Sequence, residues 1–397
     1  MATFSVRFLG CKVSYADAQA VRERLLRDGH TEVGDGGDVA VVNTCCVTNE
    51  GLAKSRQALS RAVRTHGRVY ATGCAANLDG ALEGVAGNVT VLARPSEELA
   101  EVVAGDVGAI GCVQGDARLE RTRAFVKIQD GCSFSCAFCV IPLVRGGTRS
   151  RRAAAVLAEV ARRVEQGHRE IVLTGVNLGC FRDRAAGFTL ARLVREAGAT
   201  PGLERLRLSS IEVNHLGGEL VAALRETPTA AQHLHVPLQS GDDAVLRAMA
   251  RRYTASAYLA RLAPLADFNL TADVIVGFPG EDEAAFGRTL AVVERAGLSR
   301  VHAFPYSPRP GTVTAAEDTV PAAVKKDRSA RLRALSDELS RRRWESRVGS
   351  TDRVLVDRPG RGYGADYTPW LVEGEVGQLL EARAVGVSEE GILAVAA

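Results

Sequence analysis

The chain has 397 residues, enough for two or three domains with real cores. Apolar residues make up 46% and charged residues 24%, an ordinary globular balance that excludes a disordered, collagenous or disulfide-stapled chain. Fifty basic against forty-seven acidic residues leave +3, which does not by itself announce nucleic acid; the arginine-rich basic set is equally the mark of a GC-rich genome.

Elements are expected in this order. Phe4–Phe8 reads as a strand, Ala16–Arg27 as a helix stopped by Gly29, and Val39–Val42 as a short buried strand. Thr48–Thr65 reads as a helix, Val69–Thr72 as a strand, and Val89–Leu92 with Glu97–Val103 repeats the unit. This βαβα order implies a small parallel sheet with helices on both faces. Gly105–Gly115 reads as a linker. Six more strands follow at Ala124–Ile128, Ile171–Thr174, Leu206–Ser209, Leu234–Val236, Leu270–Val276 and Arg300–Phe304, with helices between them. Six βα units fall short of a closed eight-fold barrel and imply a partial, open (βα)6 barrel with a lateral cleft. A long helix is expected over Ala322–Arg347. Short strands at Val354–Val356, Leu371–Val372, Leu379–Ala384 and Ile392–Val395 then suggest a small β-barrel.

No segment reaches the roughly 18 apolar residues of a membrane span. Met1–Gly10 lacks the ordered features of a secretory leader and carries Arg7 inside its strand-like run. A cytoplasmic location is expected, where thiols stay reduced and clustered cysteines bind metals or do chemistry. Nine cysteines, an odd number, fit that expectation.

Three of them form the strongest signal, Cys132-Ser-Phe-Ser-Cys136-Ala-Phe-Cys139, directly after the first barrel strand. Thiolates hold [4Fe–4S] clusters, and three ligands for four irons leave one iron open to chelate a substrate or cofactor. The alternative is a zinc knuckle with His168 or Cys180 as fourth ligand, or cysteines packed in a core. Cys11, Cys45 and Cys74 each follow a predicted strand of the first sheet, at the edge where open α/β sheets place ligands. They could bind a second open cluster or simply occupy tight turns. Cys46, Cys112 and Cys180 have no such pattern and read as structural.

These features resemble the radical S-adenosylmethionine (SAM) methylthiotransferases. The resemblance spans the two cysteine triads, Val172-Leu173-Thr174-Gly175-Val176-Asn177, Leu208-Ser209-Ser210-Ile211-Glu212, His235-Val236-Pro237-Leu238-Gln239-Ser240-Gly241, and Asp273-Val274-Ile275-Val276-Gly277-Phe278-Pro279-Gly280-Glu281. Gly10-Cys11-Lys12-Val13 and Lys54-Ser55-Arg56-Gln57 look like the branch acting on N6-threonylcarbamoyladenosine at position 37 of transfer RNA. Ser14, Cys46 and the Arg145–Ser150 stretch depart from the usual pattern; Cys46 is a second thiol beside Cys45, and the Asn-Thr-Cys string favours Cys45.

The resemblance implies an α/β chain with a flavodoxin-like N-terminal domain (1–115), a TIM-like radical SAM barrel (116–345) and a TRAM-like RNA-binding β-barrel (346–397). It implies two [4Fe–4S] clusters, one on Cys132, Cys136 and Cys139 that binds SAM, the other on Cys11, Cys45 and Cys74. Phe134 and Phe138 would shield the first. SAM would be held by Thr174, Gly175, Asn177, Ser209, Glu212, Gln239 and Gly277, while His215, His233, His235 and His302 read as structural or substrate-near. The expected partners are the tRNA anticodon stem-loop and an electron donor such as flavodoxin or ferredoxin, with no membrane and no DNA. Arg145, Arg149, Arg151 and Arg152, the run Lys325–Arg343 at +5, and Tyr363, Tyr367 and Trp370 are the candidate RNA contacts. Competing readings are the same chemistry on isopentenyladenosine or a ribosomal-protein aspartate, and a zinc-bearing RNA-binding protein without catalysis.

Overall fold

Strand and helix periodicities alternate along the first hundred residues, and the chain folds accordingly. A computed structural model describes residues 1–85, 87–93, 96–108 and 122–397. Cys112, most of the expected linker and the expected boundary at 115/116 lie outside them. The chain divides into two compact units: Met1–Arg118 with Asp130–Arg149 and Arg309–Thr312, and Leu119–Gln129 with Ser150–Pro308 and Val313–Ala397. No helix among the described residues is long and apolar enough to cross a membrane.

The first unit carries β1 (Thr3–Phe8), α1 (Lys12–Arg27), β2 (Thr31–Glu32), β3 (Gly37–Thr44), α2 (Asn49–Thr65), β4 (His66–Gly73), β5 (Val89–Val91) and α3 (Ser96–Val107). The five strands are parallel in the order β2-β1-β3-β4-β5, the flavodoxin-like arrangement. Strand alternation sends Phe4, Val39, Val41 and Tyr70 into one apolar layer with Val21 and Leu25 of α1 and Leu99 and Val103 of α3. Ala40, Val42, Val69 and Ala71 point the other way, against Ala58, Leu59 and Ala62 of α2. Thr48 caps α2 by accepting from the Gly51 N–H. The two-residue β2 is too short to show a sequence period.

β6 (Arg123–Asp130) leads into the cysteine loop, α4 (Ile141–Arg145) and β7 (Arg149–Ser150). The second unit continues with α5 (Ala153–Glu165), β8 (Glu170–Gly175), β9 (Arg182–Asp183), β10 (Phe188–Thr189), α6 (Leu190–Gly198), β11 (Arg205–Leu208), α7 (Gly218–Glu226), β12 (His233–His235), α8 (Asp243–Ala248), α9 (Ala255–Leu262), β13 (Asn269–Val276), α10 (Glu283–Arg295), β14 (Leu298–Pro305) and α11 (Ala322–Glu345). β6, β8 and β11 pair in parallel, as do β12, β13 and β14. Parallel bridges Leu206↔Ala230 and Ser210↔His235 connect the two sets into one six-strand run in chain order. This is the open (βα)6 barrel, and its strand–helix interface is a single apolar core from Ala124 to Leu339.

β15 (Thr351–Arg358), β16 (Arg361–Tyr363), β17 (Pro369–Leu371), β18 (Leu379–Val387) and β19 (Ile392–Ala396) close into a five-stranded barrel around fully buried Trp370. This barrel is tied to the central sheet by a buried ionic knot. Glu170 accepts from Arg205 at 3.1 Å and from Arg207 at 2.9 Å. Arg205 also donates to the carbonyls of Arg353, Tyr363 and Gly364. Burial alone would raise the Glu170 pKa, but the two guanidiniums override it and hold the carboxyl at about 2. β16 escaped the sequence reading because three residues carry no usable period.

Candidate cluster and cofactor sites

Cys11 follows β1, Cys45 follows β3 and Cys74 follows β4, so adjacent parallel strands deliver all three thiols to one carboxyl edge. The backbone there is tightly specified. The Cys74 N–H donates to the Thr44 carbonyl at 2.9 Å and the Cys45 N–H to Ser55 Oγ at 2.9 Å. A β-carbon on Gly73 (φ +86°) would fall 2.5 Å from Asn43 Oδ1 and 2.6 Å from the Thr44 oxygen, so only glycine can precede Cys74 in this turn.

The three thiols lie within one another's electrostatic reach. Burial and then neighbouring sulfur push Cys45 up; burial pushes Cys74 up to about 11 even though Arg145 opposes it. Cys11 is exposed, and the buried thiols of Cys45 and Cys74 beside it suit a metal centre, whose positive charge repays their deprotonation. Cys46 is fully buried, is pushed up to about 12, and packs with Ala75, Ala81, Val140 and Val144 in an apolar cluster that also holds Cys74.

Arg145 organises the charge at this edge. Its side chain is 7% exposed. It donates to Cys74 Sγ at 3.2 Å, to Asp17 Oδ2 at 3.1 Å and to Asp130 Oδ1 at 3.0 Å, and Ser14 Oγ lies at 3.5 Å. Asp130 and Arg145 flank the Cys132–Cys139 loop, while Asp17 sits on α1 after Cys11. The guanidinium therefore links the segments bearing both cysteine triads. Sequence reasoning assigned Arg145 to RNA, and the structure corrects that assignment: a buried guanidinium engaged by two carboxylates does not meet phosphate. A sign was readable, because Ser14 and Asp17 occupy core-facing positions of α1 beside Val13, Ala18 and Val21.

The Cys132–Cys139 loop is held at its base. The Cys132 N–H donates to the Gly146 carbonyl at 3.0 Å, and Ser133 and Thr148 exchange backbone-to-hydroxyl bonds of 3.2 and 3.0 Å. Within it, the Cys139 N–H closes a turn onto the Cys136 carbonyl and the Phe134 N–H donates to Cys132 Sγ at 3.4 Å. All three cysteines are partly exposed. None of the eight described cysteines is in a disulfide. Cys180, the alternative fourth zinc ligand, has its thiol 3.5 Å from His215 Nε2.

At the carboxyl ends of the barrel strands, Thr174 Oγ1 and Ser209 Oγ are buried with no hydrogen-bond partner among the described residues. Orphaned buried hydroxyls at a strand edge are what a polar ligand would satisfy, so these positions fit SAM. Asn177 is held by its N–H to Gln129 Oε1 at 2.7 Å. Gln239 adopts φ +63°, strained for a non-glycine, while its N–H reaches the Asp273 carbonyl at 2.9 Å. Gly277 has φ +72°, and a β-carbon there would meet Lys325 Cγ at 2.4 Å; glycine is required by α11 as much as by any ligand. Glu212 is already ion-paired with Arg251, and burial pushes its carboxyl up. His235 Nε2 lies 3.2 Å from Asp273 Oδ2, with His302 close by.

Of the other expected RNA contacts, Arg149, Arg152, Lys326, Arg331, Arg333, Arg341 and Arg342 are exposed, and the remaining cations are buried or half-buried. Arg151 is paired with Glu159, Lys325 with Asp318, Arg328 with Glu281 and Arg343 with Asp366. Trp370 is buried in the barrel core, and Tyr363 and Tyr367 stack on each other beneath Arg123.

Residues 3–91 match the Uncharacterized protein family UPF0004 and residues 126–293 the Radical SAM superfamily. The chain is 34% identical to the threonylcarbamoyladenosine tRNA methylthiotransferase MtaB of Thermotoga maritima, covering 99% of this chain and 96% of that one. It is 36% identical to the tRNA-2-methylthio-N(6)-dimethylallyladenosine synthase of Alkalilimnicola ehrlichii, covering 90% and 86%. The fold is similar to that of the radical SAM methyltransferase TsrM of Kitasatospora setae, with TM-score 0.57 and 14% identity over 79% of this chain and 77% of that one. With two cysteine triads on strand-end loops and a relative of one-third identity along nearly its whole length, the chain belongs to the radical SAM tRNA methylthiotransferase family.

Proposed function

We propose that this protein adds a methylthio group to C2 of N6-threonylcarbamoyladenosine at position 37 of tRNA, working in the cytoplasm with two [4Fe–4S] clusters and SAM. The full-length likeness to the Thermotoga maritima protein carries the reading. Cys11, Cys45 and Cys74 hold the auxiliary cluster, and Cys132, Cys136 and Cys139 the SAM-binding one. Functionally the chain divides at 115/116 and 345/346 into a methylthiotransferase domain, a radical SAM domain and a TRAM-like domain.

When bound, the clusters and SAM supply one-electron chemistry, which the strong and scarcely acidic adenine C2–H bond requires. The chain's own residues position and insulate that chemistry. Thr174 and Ser209 donate or accept at SAM's polar groups, satisfying their buried hydroxyls. Asn177, its N–H held by Gln129, would bind the amino-acid end, and Gly175, Gln239 and Gly277 would hold SAM at close range. Glu212 contributes through its Arg251 pair. Arg145 places a fixed positive charge beside the sulfur of Cys74. The substrate is presented as the anticodon stem-loop, and a flavodoxin or ferredoxin supplies electrons.

The test is nucleoside mass spectrometry after anaerobic reaction of the reconstituted enzyme with tRNA carrying either threonylcarbamoyl- or isopentenyladenosine. Methylthiolation of the first is expected. Because the Alkalilimnicola relative is equally similar, product on isopentenyladenosine alone would overturn the substrate assignment.

A further inference from the structure

If the substrate is tRNA, its phosphates need cations; of the basic residues that the sequence singled out, Arg145, Lys325, Arg328 and Arg343 are engaged by carboxylates, while Arg149, Arg152 and the outer face of α11 stay exposed. The five arginines of Glu345–Ala397 are outnumbered by nine acidic residues. A different basic surface lies on the first unit. β1 is two-faced: Phe4 is buried in the layer under α1 and α3, while Ser5, Arg7 and Leu9 turn to the face that α2 covers. Among the described residues α2 is the one helix packed on that face, and a groove of about 680 Å³ runs along its flank, lined by Arg7, Leu9, Lys54, Gln57, Arg61 and Arg64 with Ala58 and Thr65.

Lys54, Gln57, Arg61 and Arg64 are spaced three or four apart, which puts them on one stripe of α2. Arg7 joins them from the strand. Four cations and no carboxylate line the groove. The nearby acids are Glu50, paired with Lys54, and Asp35, paired with Arg61; the lysine and arginine side chains remain 60% and 55% exposed. Exposed pairs of this kind contribute about 1 kcal/mol or less, so phosphate can replace the carboxylate. From Lys54 to Arg64 the stripe runs about 15 Å, the reach of roughly four phosphates along one strand.

We infer that this groove is a binding track for the RNA phosphate backbone, set apart from the nucleoside-reading site. The inference rests on the tRNA reading above. It accounts for an arginine in a strand whose opposite face is core, since a structural β1 would gain nothing from a cation at that position.

The experiment measures binding of bulk tRNA to the reconstituted full-length protein across potassium chloride concentrations. Wild type is compared with Arg7→Gln/Arg61→Gln/Arg64→Gln and with an Arg192→Gln control, whose side chain is 51% exposed on α6. Each lost phosphate contact should flatten the plot of log K against log salt by about one unit, so the triple variant should lose two to three units and bind at least ten-fold more weakly in low salt. Iron content and melting temperature verify folding. If the variant fails, Arg7→Gln and Arg64→Gln alone should each still flatten the slope by about one. An unchanged slope overturns the inference, as does an equal loss in the Arg192→Gln control. So does a variant that binds tRNA normally but accepts electrons poorly, which would make the groove a docking site for an acidic protein. Product formation by wild type is read separately: a flattened slope with no methylthiolated nucleoside would spare the groove and sink the enzymatic reading, and the reverse result would do the opposite.

Discussion

Replacing Arg145 by methionine tests the electrostatic account of the cysteine edge. The change keeps the apolar stem and removes the charge, leaving Asp17 and Asp130, with side chains 1% and 4% exposed, buried without their counter-ion. Removing one partner of a buried pair costs about 3–5 kcal/mol, because the remaining charge stays desolvated. For a unit of this size that is a fall of about 10 °C in melting temperature. Because the penalty comes from orphaned carboxylates, adding Asp17→Asn and Asp130→Asn to Arg145→Met should restore most of the loss. Lysine at 145 should recover only part of it, since an ammonium cannot reach three partners in different directions as the guanidinium fork does. The assay is thermal and denaturant unfolding of anaerobic protein. The triple exchange offers a second readout: with fold restored but the bond to Cys74 Sγ missing, the reduction potential of the auxiliary cluster should move negative, because a donor to cluster sulfur favours the reduced state. Should Arg145→Met melt within 2 °C of wild type, or the neutralised triple variant be no better than the single, the buried-charge reasoning is wrong.

Cysteine substitutions should sort by iron content. Alanine at Cys11, Cys45 or Cys74, or at Cys132, Cys136 or Cys139, should each remove about four of about eight irons per chain, whereas Cys46→Ala should keep all of them. Glu170 predicts an acid limb. Its carboxyl is held at about 2 in the fold against an ordinary 4.5, so its stabilising contribution is complete above pH 4.5 and is lost as pH falls towards 2. That loss amounts to about 3 kcal/mol, and Glu170→Gln should flatten this limb of the pH–stability curve while lowering stability near neutrality. Gly277→Ala, forced into φ +72° against Lys325, should cost about 1–3 kcal/mol and weaken SAM binding measured by calorimetry.

The order of elements, the parallel sheets and both cysteine triads were legible in the sequence because each rests on local information: a period of two or 3.6, a glycine stop, a thiol directly after a strand. Cys132, Cys136 and Cys139 announce themselves within eight residues, and Cys11, Cys45 and Cys74 through the strands that precede them. What tertiary structure alone decided is which charges are surface and which are core. Arg145, Lys325, Arg328 and Arg343 look like solvent-facing cations in a linear reading, yet each is paired with a carboxylate distant or disguised in sequence, Asp130 and Asp17, Asp318, Glu281 and Asp366. Arg7 and Arg64, which no local pattern links, end on one groove. The physical reason is that side-chain type sets a residue's possible partners, whereas desolvation, which determines what a charge is worth, depends on everything the fold brings around it.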